Sequence, residues 1–137
     1  MKKIMNKKGF TLVEMLVVIA IIAVLVAIIV PTTSSATNKA KAAANAANLR
    51  SVKAEIGIAL LSNDTSTIPD ASGGVITFTD GTKVTVPAAK AIGGDDESKL
   101  TFSAENTNGE VIVKYGTHTI ADYAKYAEDG KTWTPCK

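Results

Sequence analysis

Residues 7–31 read KKGFTLVEMLVVIAIIAVLVAIIVP. Two lysines and a glycine lead into an apolar run in which every residue from Met15 to Val30 is Met, Leu, Val, Ile or Ala. The 21 residues from Phe10 to Val30 contain one charge, Glu14. As a helix this stretch would be about 31 Å long, close to the hydrocarbon thickness of a bilayer. Beyond Pro31 the chain turns polar, rich in Ala, Thr, Asn, Ser and Gly. A membrane segment followed by one modest soluble portion is the organisation expected of these 137 residues.

Lys2, Lys3, Lys7 and Lys8 precede the apolar run with no acid among them. The positive-inside rule therefore keeps this end in the cytoplasm and exports the residues after Pro31. Those four lysines carry the formal charge of +2, and without them the remainder stands at −2. An exported portion of that charge lacks the footprint of a general nucleic-acid binder. Cys136 is the sole cysteine, so no intramolecular disulfide can form, and its place near the end of the chain is read as a mobile tail.

Basic residues before an apolar stretch admit three readings. A secretory signal would need a small-residue cleavage site, which TTSSA ending at Ala36 could supply. A plain anchor fits length and lysines but leaves Glu14 as an unpaired acid, costing about 2.5–3.5 kcal/mol if deeply placed. A cut between Gly9 and Phe10 gives the acid a purpose. The new α-amine on Phe10 would lie one helical turn from Glu14. The amine of one subunit could then meet the carboxylate of the next, since a buried charge is tolerable when paired and costly when alone.

These residues resemble the class III leader and N-terminal helix of type IV pilins and their pseudopilin relatives. The resemblance rests on the basic leader, Gly9, Phe10, Thr11-Leu12, Glu14 and Pro31 at the family's spacing. It covers residues 7–31 and departs from the usual pattern in having Ala23 where a glycine is common. The C-terminal disulfide loop frequent in the family cannot form, which leans toward Gram-positive or divergent members. The resemblance implies prepilin-peptidase cleavage between Gly9 and Phe10, N-methylation of Phe10, assembly through Phe10, Thr11 and Glu14, and a helix kink at Pro31. Proline alone predicts that kink, because it removes an amide bond and crowds the preceding turn.

Downstream, Leu49, Val52, Ile56 and Leu60 recur at helical spacing with Ala59 beside them. One helix of about 80 Å is expected over residues 10–62, with Gly57 a mild defect. Then GVITFTDGTKVTVP and KLTFSAENTNGEVIVKY each give two alternating runs around a turn, at Asp80-Gly81 and at Asn106 to Gly109. Val75 or Ile76, Phe78, Val84, Val86, Phe102, Val111 and Val113 should face the helix. TIADYAKYAEDGKTWTP reads equally as a short helix carrying Tyr123 and Tyr126 or as a fifth strand. The expected class is α+β, a long N-terminal helix with a small antiparallel sheet on its C-terminal half, the pilin fold. Its divisions are a leader (1–9), a transmembrane or filament-core segment (10–31) and a periplasmic or extracellular head (32–137). Within the head come helix 32–62, a sheet over about 74–120 and a C-terminal segment 121–137.

Catalytic motifs are missing from the sequence, so a non-enzyme is expected. His118 lacks a second histidine or paired cysteine and reads as a surface or packing residue, so no metal site or cofactor is expected. Asp95-Asp96-Glu97 reads as a solvated loop rather than a calcium site, and Asn63-Asp64-Thr65 as a chance glycosylation triplet. The resemblance implies a subunit of a type IV pilus, serving adhesion, motility or DNA uptake. The alternatives are a pseudopilin of secretion or competence systems and, more remotely, an exported binding domain. Implied partners are copies of itself in a helical homopolymer, with or without minor pilins, and the prepilin peptidase. The inner-membrane assembly machinery and, before assembly, membrane lipid complete the set. The implied location is the inner membrane as a single-pass prepilin and then a cell-surface filament.

Overall fold

The computed structural model describes residues 9–71 and 74–137, with the side chains of Pro31 and Thr32 excepted. The chain forms two compact units divided after Ser35. A single helix, α1 (Leu12–Ser62), supplies the first unit and opens the second.

In the first unit Thr11 stands just before α1 and the apolar run continues from there without interruption. Backbone groups in lipid have no water to bond, so a helix that satisfies them internally is what such a segment must form. Its large apolar side chains, from Leu12 through Val30, are all exposed within the single chain. A helix that is apolar on every side needs lipid or other helices around it. Length and composition make this the one described helix able to cross a membrane. The helix runs through Pro31, whose side chain lies outside the described residues.

In the second unit, Ala36–Lys137, α1 buries one face: Ala42, Asn45, Ala46, Leu49, Val52, Ile56, Ala59 and Leu60. Steps of three and four residues place these on one stripe. Leu49, Val52 and Ile56 are at most 1% exposed, and such burial stabilises by about 1.5–3 kcal/mol per side chain. Against the stripe pack Ile76, Phe78, Val84, Val86, Val111 and Val113, with Phe102 partly buried.

The strands divide into two antiparallel sheets. β1 (Val75–Thr77) pairs with β2 (Lys83–Thr85), placing Ile76 opposite Val84. The second sheet has the order β3 (Phe102–Thr107), β4 (Glu110–Tyr115), β5 (His118–Thr119). Thr107 pairs with Glu110 across a two-residue turn in which Asn108 and Gly109 both have positive φ, the hairpin geometry that matches strand twist. A short 3-10 turn, η1 (Glu97–Lys99), precedes β3.

The ambiguous C-terminal stretch is helical: α2 (Ile120–Asp129) buries Tyr123 and Tyr126. The sequence there starts with Thr119-x-x-Asp122, whose two side chains reciprocally satisfy the first backbone amides, and ends at Gly130 in the left-handed conformation. That local punctuation is why helix wins over strand.

Candidate functional site

At the N-terminal end of α1, Thr11 and Glu14 bond reciprocally. The Glu14 carboxylate accepts from the Thr11 backbone amide at 2.8 Å and from its hydroxyl at 2.9 Å. The Thr11 hydroxyl in turn accepts from the Glu14 amide at 3.2 Å. This is a capping box, and it satisfies orphan donors of the first turn. Its signal, Thr-x-x-Glu ahead of an apolar run, was legible in the sequence but overshadowed by the charge of Glu14. A carboxylate there also opposes the positive end of the helix dipole. Gly9 and Phe10 precede the helix and are exposed, Phe10 by 79%. Of the predicted site residues, the structure thus brings Thr11 and Glu14 together beside an accessible Gly9-Phe10 bond. Pro31 lies farther along the same helix.

A second cluster lies in the C-terminal unit. Cys136 is 6% exposed rather than on a mobile tail, and His118 is 7% exposed. Cys136 fits because Gly116 has no side chain: a Cβ there would meet its sulfur at 2.9 Å. Asp95 turns inward instead of lying in a solvated loop. One of its oxygens accepts from the Trp133 indole and from the Cys136 amide, both at 3.0 Å. The other accepts from the Ile92 amide at 3.0 Å. One donor atom each from Asp95, His118 and Cys136 lies within 4.8 Å of the others.

Trp133 covers this cluster, its ring centroid 4.1 Å from that of His118 and 5.2 Å from those of Tyr123 and Tyr126. Among the described residues, the buried His118 Nε2 has no hydrogen-bond partner. Burial pushes the Tyr123 phenol pKa up, and the nearby Asp95 carboxylate and Cys136 thiol push it the same way. Sequence reading missed this grouping because its members are 23 and 18 residues apart, in a loop, a strand and the final segment.

A groove of about 700 Å³ is lined by residues such as Gly57, Leu61, Asn106 and Val111, and a smaller one of about 350 Å³ by His118, Asp122, Lys125 and Trp133. Among the described residues, Asp64 is the one titratable group lining the larger groove. Asn63, the head of the glycosylation triplet, is occupied structurally. Its amide donates to Ala59 and its oxygen accepts from Thr79 and Asp80.

Residues 4–30 match the family model described as the prokaryotic N-terminal methylation motif. No curated protein and no solved structure matches the chain. The segment so matched is the class III signal of type IV pilins. With the long apolar helix it fits a pilin- or pseudopilin-like precursor anchored in the inner membrane. Such a signal implies processing by a prepilin peptidase and assembly into filaments, and it points to a structural protein.

Proposed function

From a chain that carries this class III signal, we propose that the protein is the structural subunit of a type IV pilus, cut between Gly9 and Phe10 and N-methylated on Phe10. The motif match over residues 4–30 carries the reading. The exposed Gly9-Phe10 bond ahead of the helix supports it, since a peptidase needs backbone it can reach. Once freed, the Phe10 ammonium sits beside the positive end of α1, an unfavourable pairing on its own. The Glu14 carboxylate of a neighbouring subunit neutralises it within the apolar bundle. The exposed apolar surface from Leu12 to Val30 then passes from lipid to the filament core. Pro31 loosens or bends the helix there.

The filament, a homopolymer with or without minor pilins, acts at the cell surface in adhesion, motility or DNA uptake. The same N-terminal residues would serve a pseudopilin of a secretion or competence system, and long fibres in abundance distinguish the pilus. The deciding experiment is the N-terminal mass of protein recovered from sheared surface fractions. A chain starting at N-methylated Phe10 is expected. An uncut chain, or one starting at Thr37 or Asn38, overturns the proposal in favour of an anchored or secreted binding domain.

A further inference from the structure

The Asp95, His118 and Cys136 cluster is independent of the filament reading. We propose that these three side chains form a binding site for one divalent transition-metal ion, Zn2+ by its donor set, that ties the C-terminal segment to the body of the second unit.

The geometry comes first. A carboxylate oxygen, an imidazole nitrogen and the thiol sulfur already converge within 4.8 Å. Zinc bonds of about 2.0–2.3 Å in a tetrahedron separate neighbouring donors by roughly 3.3–3.7 Å. Closing around an ion therefore takes side-chain adjustments of about 1 Å. Thiolate, imidazole and carboxylate together suit zinc and related ions, whereas calcium and magnesium take oxygen.

The unpartnered atom comes next. His118 is buried, and its Nε2 finds no hydrogen-bond partner. A buried nitrogen without a partner is unfavourable, and coordination satisfies it. The Tyr123 ring is fully buried beside it, its hydroxyl near the Asn45 side chain. Its ring centroid lies 5.6 Å from that of His118, and both Asp95 and Cys136 act on it electrostatically. Tyr123 thus walls the cluster, and water would take the fourth position.

The surroundings are those of an oriented site. The Trp133 indole and the Ile92 and Cys136 amides fix the Asp95 carboxylate. Trp133 stacks on the His118 ring, and the Thr117 hydroxyl lies 3.4 Å from the Cys136 sulfur. Such outer contacts hold ligands in place. The three ligands come from the loop before η1, from β5 and from the final segment. A metal bridge would close those chain segments much as disulfides do in other small exported domains. With one cysteine, this chain has no disulfide available.

The test uses the full chain in detergent micelles, stripped with a chelator and titrated with Zn2+ or Co2+. One ion per chain is expected, with Tm raised by roughly 5 °C or more at saturating Zn2+. Co2+ should give a thiolate charge-transfer band with tetrahedral ligand-field intensity. Both signals should vanish in Cys136→Ser and weaken at least tenfold in affinity in His118→Gln. Should either variant fail to fold, the wild-type stoichiometry and the cobalt band decide alone. Absence of saturable binding overturns the site, as does a cobalt complex without the thiolate band. A Zn2+ shift undiminished in a folded Cys136→Ser variant does the same.

Discussion

The side-chain amide of Asn45 exchanges two hydrogen bonds with the backbone of Lys90, each 2.9 Å long. Asn45 is the one polar residue on the buried stripe of α1, and it is fully buried. It takes the place of a strand partner for the loop between β2 and η1, pinning that loop to the helix. Asn45→Ala removes both bonds and strands the polar groups they satisfied. A loss of about 2–3 kcal/mol is expected, read as a lower denaturant midpoint with unchanged slope.

Asp122 predicts an acid sensitivity. Partial burial raises its carboxyl pKa, but bonds from the Thr119 amide and hydroxyl, with His118 and Lys125 nearby, outweigh burial and hold it below 3.8. A carboxyl depressed on folding contributes stability that is complete above the unfolded value and lost as pH falls through the folded one. The first turn of α2 should therefore loosen below about pH 4. Amide chemical shifts of residues 119–123 should report it before the strands respond. Asp122→Ala should cost about 1 kcal/mol at neutral pH and remove that early transition.

How much of this was legible depended on whether the cause was local. The stripe from Leu49 to Leu60 and both hairpins rest on periodicity or turn chemistry within a few residues, and the structure has each of them. The N-terminal methylation motif is local in the same way, and residues 4–30 match its family model. The division of the strands into two sheets was not visible, because alternation records which face is buried and not which strand lies beside it. Asn45 was hidden among small residues between Ala36 and Ala47, since its partner is 45 residues away. The cluster of Asp95, His118 and Cys136 was hidden for the same reason. Each member alone has an ordinary surface reading, and only the fold makes them neighbours.

Gly116 sits at φ +58, and a Cβ there would lie 2.7 Å from the Lys99 carbonyl oxygen and 2.9 Å from Cys136 Sγ. Backbone strain and contact with fixed atoms act together, because a carbonyl cannot swing away as a side-chain end can. Gly116→Ala should cost about 2 kcal/mol or more. It should also expose Cys136 to alkylation by displacing the final segment. Thiol modification under native conditions, several-fold faster than in the parent chain, is the measurement.

Thr11 and Glu14 supply the sharpest test of the filament reading, because Glu14 has two available jobs. As a helix cap it needs only an acceptor at the third position, and glutamine serves there nearly as well as glutamate. As a counter-charge for the Phe10 amine of a neighbouring subunit it needs its negative charge. Glu14→Gln separates the two. The variant should insert, fold and be cut as the parent does, yet appear in sheared surface fibres at less than about a tenth of the parent level, the drop for a loss of ~1.4 kcal/mol or more in subunit docking. Thr11→Ala removes the two bonds made by the hydroxyl but keeps the backbone amide bond to Glu14 and the charge, so it should assemble with a loss of about 1 kcal/mol in helix stability. If Glu14→Gln assembles like the parent while Thr11→Ala does not, the carboxylate acts as a cap alone. The pairing of amine and carboxylate between subunits would then be wrong.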